Sequence, residues 1–348
     1  MNEKTKNNEA VSEKNESNIK SQQNKYLNKS DWIILGIVCL SILIVGLILI
    51  FSGLNRSFYI SNENVKAIFN IFTQLGSEMA YIIMIPVIIF AIDFKLGKKL
   101  LIGFMVSTFF NSLLKYTIND PRPPTNFIDG HPIEDSPGFP SGHAQSSIAF
   151  WGYIFYHNKA FSNNLIKDKI IQVICILLII LITISRVIIG VHDIDDIVGG
   201  LIIGFLILAI YLEILPRIES SKLKDKSLVI KIVIGLVISL IFWLSFALAF
   251  PSSAEPIGQA AGLLIASSIG YPLEEVYIKF NPKEYKNSTR IICGVIGIIF
   301  TMIIYFGLSL VFGLINGPIW LLRCIRYIIL GSVIIILVPF ILVKIFKK

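Results

Sequence analysis

The sequence predicts an all-α fold, a polytopic bundle of transmembrane helices, and two observations carry this prediction. Of the 348 residues, 54% are hydrophobic and 16% are charged, whereas soluble domains carry roughly 25% charged residues. Mean hydropathy is accordingly high, at +0.74. Several apolar runs approach or exceed the roughly 20 residues that cross a bilayer core, among them Trp32–Phe51, Ile170–Ser185 and Leu228–Phe250.

Ten segments are candidate membrane spans because each is predominantly apolar and bounded by polar or turn-forming residues. They are Trp32–Phe51, Met79–Phe94, Leu100–Ile118, Ala144–Tyr156, Ile170–Ile189, Ile197–Leu215, Leu228–Phe250, Ile257–Ile269, Ile291–Ile315 and Ile328–Phe346. The second, fourth and eighth are short, and we expect them to extend into their flanking residues. The eighth is rich in Gly, Ala and Ser, so it either spans the membrane or forms a re-entrant segment.

The chain divides into three predicted regions. Residues 1–30 are rich in Asn, Lys, Glu and Ser and too poor in apolar residues to fold alone, which predicts a disordered cytoplasmic tail. We do not expect a cleaved leader, because the first apolar run is long enough to stay in the membrane. Residues 31–216 hold six candidate spans, and residues 217–348 hold about four more.

Charge and cysteine content exclude some functions. The net charge is +8, but no compact basic cluster with interleaved aromatic residues occurs outside the flanks of the spans, so nucleic acid is not a predicted partner. The four cysteines are scattered, with neither the spacing of a metal site nor that of a disulfide framework. No cofactor is predicted, and the bilayer is the expected surrounding.

Lysine and arginine predict the orientation, because basic residues concentrate in short cytoplasmic loops. If the amino-terminal tail is cytoplasmic, alternate connections and the carboxyl terminus are all basic. These inside residues are Lys95, Lys98, Lys99, Lys159, Lys167, Lys169, Arg217, Lys222, Lys224, Lys226, Lys279, Lys283, Lys286, Arg290, Lys347 and Lys348. Both termini are then cytoplasmic, and the connections after the third and fifth spans face outward.

Three blocks of polar residues fall at the predicted outer ends of the third to sixth spans. They read "KYTINDPRP" from Lys115, "PSGH" from Pro140 to His143, and "SRVIIGVHDIDD" from Ser185 to Asp196. Each block alone has an ordinary explanation, such as an interfacial lysine, a turn before a helix, or a surface ion pair. Ionisable groups at membrane depth are costly, so three blocks at one face favour a functional site.

The residue types in these blocks suit a phosphate ester. Lys115, Arg122 and Arg186 supply three positive charges, and a guanidinium group binds two phosphate oxygens at once. Ser141 and Gly142 add a hydroxyl and backbone N–H groups that approach an anion closely. Such cations also stabilise the charge of the transition state, so no metal is required.

Two histidines fit the remaining roles. One imidazole can attack phosphorus if its other nitrogen is held, and Asp196 follows His192 by one helical turn. The other imidazole, His143, can protonate the departing alkoxide as a general acid.

The ordered blocks resemble the three-part signature of the type-2 phosphatidic acid phosphatase superfamily, in its membrane lipid-phosphate phosphatase branch. In the first block, six residues separate Lys115 from Arg122, and the second block is an intact PSGH. In the third block, five residues separate Arg186 from His192, and three separate His192 from Asp196. The resemblance covers roughly Trp32 to Leu215 and implies that residues 31–216 are a six-span phosphatase core.

The resemblance also implies roles for eight residues. His192 is the nucleophile and passes through a phosphohistidine, Asp196 orients it, and His143 protonates the leaving group. The phosphate-binding residues are Lys115, Arg122, Ser141, Gly142 and Arg186. The expected reaction is metal-independent hydrolysis of a lipid phosphate or pyrophosphate at the outer face of the cell membrane.

Several alternatives stay open from the sequence. A membrane transporter or a noncatalytic lipid-phosphate-binding protein would also be a polytopic bundle with intramembrane charges. Phosphatidate, phosphatidylglycerophosphate, a polyprenyl pyrophosphate and a sphingoid phosphate all present a terminal phosphate on an apolar tail. A composition rich in Ile, Lys and Asn favours a bacterium, and hence a cell-envelope lipid such as undecaprenyl pyrophosphate. The last four spans are a lateral extension, an oligomer interface or a lipid gate, and the oligomeric state is open.

Overall fold

The all-α prediction is confirmed by a computed structural model. The structure describes residues 27–56, 58–127, 132–161, 164–250 and 255–346, and in these ranges the chain forms helices joined by turns and irregular connections, without a strand. Residues 1–26 of the predicted tail, which was residues 1–30, lie outside the described residues. Its last residues enter the first helix, where Asn28 and Asp31 form a reciprocal capping box.

Eleven helical segments of the described residues are numbered here in chain order. They are α1 Lys29–Phe51, α2 Glu63–Leu75, α3 Glu78–Ile92, α4 Phe94–Ile118, α5 from Gly142 to Tyr156, α6 Leu165–Ile189, α7 Ile194–Ser220, α8 Leu228–Ala249, α9 from Glu255 to Ile278, α10 Asn287–Gly313 and α11 Ile319–Phe346. Helices α3, α5, α9 and α11 each contain a π-helical turn. The predicted boundary between residues 216 and 217 falls inside α7.

The number of spans differs from the ten predicted. Within the described residues, seven helices are long and apolar enough to cross a membrane, or up to eight if the bent pair α2 and α3 counts as one span. The seven are α1, α4, α6, α7, α8, α10 and α11. The axes of α2 and α3 differ by 48°.

Two predicted spans, the fourth and the eighth, do not reach this standard. The fourth corresponds to α5, which is shorter than the roughly 20 residues of a full span. The eighth corresponds to α9, a continuous helix that is less apolar than the seven because it is rich in Gly, Ala and Ser. Both helices are largely buried against other helices. A helix shielded from lipid by protein does not need a strongly apolar surface, and small residues let its neighbours approach closely.

The outer surface of the bundle is apolar, as expected for contact with lipid. On α1 the exposed side chains are mainly Ile, Leu and Val, including Ile34, Ile37 and Ile48, each 59% exposed. The buried interior holds larger aromatic contacts, such as Tyr81 with Phe104 at 4.5 Å between ring centroids. The interior is apolar, as in a soluble protein, but the extent of the exposed apolar surface is unlike that of a soluble protein.

The two ends of the bundle differ in charge. Lys95, Lys98 and Lys99 lie at the start of α4, where they line one cavity together with Lys224 and Lys279 from later connections. Lys115 lies in the last turn of the same helix, about 25 Å further along at 1.5 Å per residue. The connections that carry the three polar blocks meet at this second end.

Close packing of α5 on α7 positions two of these blocks. A methyl group added at Gly200 of α7 would lie 2.6 Å from the carbonyl oxygen of Ser141, and one at Gly204 would lie 3.0 Å from Ile148 Cβ. The GxxxG spacing of these glycines therefore serves helix packing. It brings the amino-terminal end of α5 against the first turns of α7.

We expect Gly200→Ala to destabilise the protein by about 1 to 3 kcal/mol, because the added methyl overlaps a backbone oxygen that cannot rotate away. The measurement is the free energy of unfolding, or the thermal midpoint, of the purified protein in detergent. The matched control is Gly36→Ala on α1, where an added methyl has no neighbour within 4 Å. This control should be neutral or slightly stabilising, since alanine favours a helix; equal effects of the two changes would contradict the packing argument.

Candidate active site

Six of the eight predicted site residues line one cavity at the second end of the bundle. The cavity has a volume of about 210 Å³. Its predicted members are Lys115, Arg122, Gly142, His143, Arg186 and His192. Asp196 lies behind His192, and Ser141 is adjacent to Gly142 but is not among the lining residues.

His192 is held by Asp196. Its Nδ1 lies 2.9 Å from Oδ2 of Asp196, and the two residues are only 3% and 1% exposed. A neutral imidazole with its proton on Nδ1 donates to this carboxylate, which leaves the lone pair of Nε2 directed away from it. The arrangement suits a nucleophile or a base at Nε2.

The local sequence explains this geometry. Helix α6 ends at Gly190, which has a φ of +87° and no room for a side chain, since a methyl there would lie 2.5 Å from the ring of Tyr59. The chain then reverses, and Asp193 becomes the N-cap of α7. Oδ2 of Asp196 accepts the backbone N–H of Asp193 at 3.1 Å as well as that of the imidazole. Helix capping therefore fixes the carboxylate that orients His192.

Arg122 reaches both His192 and the loop that precedes PSGH. Its Nε donates to the carbonyl oxygen of Ser136 at 2.6 Å, and its Nη1 donates to the carbonyl oxygen of Val191 at 2.7 Å. The same Nη1 lies 3.2 Å from Nε2 of His192. The guanidinium group thus faces the lone pair that a nucleophilic imidazole would use.

Arg186 is also buried and contacts side chains from two other parts of the sequence. It is 4% exposed, its Nη1 donates to Oγ1 of Thr73 at 2.7 Å, and its Nη2 donates to Glu134. Its Nε makes no hydrogen bond within the described residues. A buried guanidinium with a spare donor is suited to an anionic ligand.

Lys115 points from the last turn of α4 toward the same loop. Its Nζ donates to the carbonyl oxygens of Pro137 and Gly138, the latter at 3.1 Å. These carbonyl groups replace the water that a buried ammonium loses.

The PSGH block begins α5. The backbone N–H of Ser141 donates to the carbonyl oxygen of Asp196 at 3.0 Å, which ties the block to α7. The hydroxyl of Ser141 is buried and makes no hydrogen bond within the described residues. A methyl group at Gly142 would lie 3.2 Å from Oδ1 of Asn111, so glycine keeps this part of the cavity open. His143 packs beside Gly76, at the start of α3.

The environment keeps both histidines neutral near pH 7. Burial lowers the pKa of His192 well below its ordinary value, and the charges of Arg122, Arg186 and Lys115 lower it further. Burial and Arg186 have the same effect on the pKa of His143. An unprotonated imidazole retains the lone pair that nucleophilic attack requires.

Sequence reasoning missed several residues that build the site. Gln145 donates to Ser107, and Asn111 donates both to Gln145 and to the carbonyl oxygen of Pro140 at 3.2 Å. Asn111 precedes Lys115 by one helical turn, so its position on the same face of α4 was a usable signal. Thr73 lies on an amphipathic helix far away in sequence, and no motif marks it.

Glu134 is the main departure from the expected site. None of the three polar blocks contains it, but it pairs with Arg186, and its Oε2 lies 3.9 Å from Nη2 of Arg122. Burial raises the pKa of this carboxyl group, but the charge of Arg186, its hydrogen bond and the charges of Arg122 and Lys115 together outweigh burial, so that the pKa is lowered. An ionised carboxylate thus lies between the two arginines, as a phosphate oxygen would.

Two family models match the chain. Residues 97–219 match the PAP2 superfamily, and residues 258–348 match the PAP2 superfamily phosphatase, transmembrane extension. The chain belongs to the PAP2 superfamily. The first match contains all eight predicted site residues, and the second covers most of α9 to α11. The resemblance drawn from the three polar blocks is thereby confirmed.

Several curated proteins are similar to parts of this chain. Lipid phosphate phosphatase delta of Arabidopsis thaliana is 26% identical over 46% of this chain and 40% of its own length. Sphingosine-1-phosphate phosphatase 1 of Mus musculus is 27% identical over 62% of this chain and 50% of its own length. Phosphatidylglycerophosphatase B of Bacillus subtilis (strain 168) is 32% identical over 32% of this chain and 54% of its own length. The chain thus spans about half the length of the curated relatives it matches.

A solved structure is also similar. It is the first transmembrane PAP2 type phosphatidylglycerolphosphate phosphatase from Bacillus subtilis, matched with a TM-score of 0.41 at 23% identity. The match covers 50% of this chain and 93% of that chain.

We expect Glu134→Gln to bind inorganic phosphate or vanadate several-fold more tightly than the wild type, because it removes a negative charge that competes for the two arginines. The measurement is the dissociation constant by isothermal titration of the detergent-solubilised protein. Glu63→Gln is the matched control, since Glu63 is exposed and pairs with Lys66 at the surface. If Glu134→Gln, but not Glu63→Gln, binds the anion more weakly than the wild type, then the carboxylate positions the two arginines more than it competes with the anion for them.

Proposed function

We propose that the protein hydrolyses a lipid phosphate or pyrophosphate through a phosphohistidine intermediate. One observation carries this proposal: His192, held from behind by Asp196, lines the same cavity as a second histidine and three cationic side chains. A phosphate-binding protein would use the cations alone. The carboxylate that fixes the tautomer of His192 favours covalent catalysis over simple binding.

In the first step, Nε2 of His192 forms a bond to phosphorus while the bond from phosphorus to the leaving oxygen breaks. His143, once protonated, gives a proton to that oxygen, so the product leaves as an alcohol or a lower phosphate and not as a bare anion. The proton on Nδ1 of His192 stays hydrogen-bonded to Asp196, which stabilises the positive imidazole of the phosphohistidine.

In the second step, water attacks phosphorus as its bond to Nε2 breaks. His143, now neutral, accepts a proton from this water, and inorganic phosphate leaves with His192 again neutral. His143 thereby regains the proton that it gave to the leaving oxygen, and the negative charge of the next substrate favours retention of this proton, because it raises the pKa of a nearby imidazole. His143 therefore alternates between general acid and general base, and both histidines end the cycle in the state in which they began it.

The three cations supply the electrostatic part of catalysis. Phosphoryl transfer is governed largely by positioning and by stabilisation of charge on the nonbridging oxygens. Arg122 occupies a position 3.2 Å from Nε2 of His192, so a bound phosphate would draw its guanidinium group away from the attacking lone pair. Lys115 and Arg186 approach from α4 and α6, and we infer that together they replace a metal ion.

The substrate class follows from the surroundings of the cavity. The site lies at one end of a bundle whose outer surface is apolar, so a phosphate on a lipid can arrive without leaving the bilayer. The relatives described above carry the names of lipid phosphate, sphingosine-1-phosphate and phosphatidylglycerophosphate phosphatases. A bacterial polyprenyl pyrophosphate or a glycerophospholipid phosphate remains our choice, in the outer leaflet.

The orientation of the site follows from charge. The cavity and the lysine-rich opening of α4 lie at opposite ends of that helix. Because basic connections face the cytoplasm, we infer that the site faces outward in a cell membrane and that both termini face inward.

We expect Asp196→Asn to lower kcat/KM by about 10²- to 10⁴-fold, because an amide neither fixes the tautomer of His192 nor stabilises its charge. Phosphate release from a lipid phosphate by purified protein measures this loss, with excess chelator present. His192→Ala should abolish turnover.

The matched control is Asp195→Asn, since Asp195 is partly exposed and does not line the cavity. Its kcat/KM should stay within about threefold of the wild type, because the change alters one charge near Asp196 and removes no group that lines the cavity. Turnover by His192→Ala near the wild-type rate would refute the mechanism. If activity vanishes with chelator and returns with a divalent ion, the proposal that Lys115, Arg122 and Arg186 replace a metal ion is refuted.

We expect a cysteine at Asp135 to react with an impermeant thiol reagent in intact cells, in a background without the four natural cysteines. Asp135 is exposed in the loop that borders the cavity. The matched control is a cysteine at Lys224, exposed at the lysine-rich end, which should react only after lysis. The opposite labelling pattern would reverse the orientation.

A further inference from the structure

A second cavity opens beside the candidate active site and is almost entirely apolar. Its volume is about 240 Å³, and His143 contributes to its wall as well as to that of the phosphate cavity. An apolar cavity of ~150 Å³ already takes up benzene, so this one can accept a segment of a hydrocarbon chain. The phosphatase mechanism described above does not use it.

The walls come from two separate parts of the sequence. Tyr81, Ile85 and Phe104 of α3 and α4 form one side, whereas Ala260 of α9 and Leu330 of α11 form the other. The first group belongs to the amino-terminal half, and the second lies within residues 258–348, the transmembrane extension. These five side chains are each at most 7% exposed. The cavity therefore exists only because the extension packs against the core.

A polar contact joins the two parts at the edge of this cavity. Glu78, at the start of α3, accepts hydrogen bonds from the hydroxyl of Tyr327 and from Nε2 of Gln259, the latter at 3.3 Å. All three residues line the cavity. Glu78 follows Gly76, which packs against the ring of His143. The rim is thus polar on the side of the active site, whereas the remaining wall is apolar.

We propose that this cavity binds the hydrocarbon chain of the leaving group, and that the carboxyl-terminal extension is therefore part of the substrate site. The proposal rests on the proposed function, because it takes His143 as the group that protonates the leaving oxygen. That oxygen must lie beside His143 during the reaction. The carbon chain attached to it then continues from His143, and the apolar cavity begins at this residue.

The volume of the cavity also limits how much of the substrate it can hold. At about 240 Å³ it accepts a segment of hydrocarbon and not a whole lipid tail, so the remainder would have to stay in the bilayer. The polar rim of Glu78, Gln259 and Tyr327 lies where the first polar substituents of the alcohol would pass. Contacts with a chain remote from phosphorus can contribute to transition-state binding, so the extension would raise kcat/KM for lipids over soluble esters.

The test compares a long-chain alkyl phosphate with its short-chain homologue in the same detergent. Ala260→Leu adds three carbon atoms to a wall of the cavity, so the ratio of long-chain to short-chain kcat/KM should fall about tenfold. Gly307→Leu is the matched control, because Gly307 lies in the extension and a side chain there has no neighbour within 4 Å. This control should keep the wild-type ratio; a ratio unchanged in folded Ala260→Leu overturns the proposal.

A second measurement needs no variant and no turnover. A nonhydrolysable alkyl phosphonate with a diazirine in the middle of its chain is photolysed with the wild-type protein, and the labelled peptides are sequenced. Label on the segments around Ala260, Tyr327 and Leu330 supports the proposal, and label confined to other segments overturns it. If the wild type releases phosphate from neither ester, the proposed function fails, while the labelling result still decides where the chain binds.

Discussion

Burial of three positive charges in one cavity is the constraint on which the rest of the site depends. Removing an ion from water costs several kcal/mol even after the protein relaxes. Lys115 is compensated by carbonyl oxygens of Pro137 and Gly138, Arg122 by Ser136, and Arg186 by Thr73 and Glu134. These bonds determine the course of the loop before PSGH. The cations thus organise the walls of the cavity in addition to their proposed role toward phosphate.

Asp196 connects the two histidines, because it contacts both His192 and the block that contains His143. Asp196 orients His192 through its carboxylate and accepts the backbone N–H of Ser141 through its carbonyl oxygen. Gly200 permits this approach, because any side chain there would overlap the Ser141 backbone. One helix contact therefore supports both the proposed nucleophile and the block that carries His143. The carboxyl-terminal extension also contributes, since α9 and α11 complete the apolar cavity that His143 lines.

Part of the site was predictable because its signals are local. Arg186, His192 and Asp196 lie around one reversal between two helices, and their spacing carries the geometry. Ser141 was predicted to bind phosphate, but it is buried and does not line the cavity. Glu134 lies outside the three polar blocks, and the sequence does not reveal that two buried arginines lie next to it. Of the ten predicted spans, those that correspond to α5 and α9 are not long and apolar enough to count as spans by length and composition, and both helices are largely enclosed by others.

The sequence by itself determined the all-α membrane bundle, the family and the candidate chemical groups, because apolar runs and ordered motifs depend on residues close together in the chain. Only the tertiary structure decided which distant residues meet. Thr73 reaches Arg186 across 113 positions, and Tyr327 reaches Glu78 across 249. Such pairs arise from helix packing, where small residues allow close approach and large residues leave cavities. That packing depends on the shapes of several helices at once, which no local pattern records.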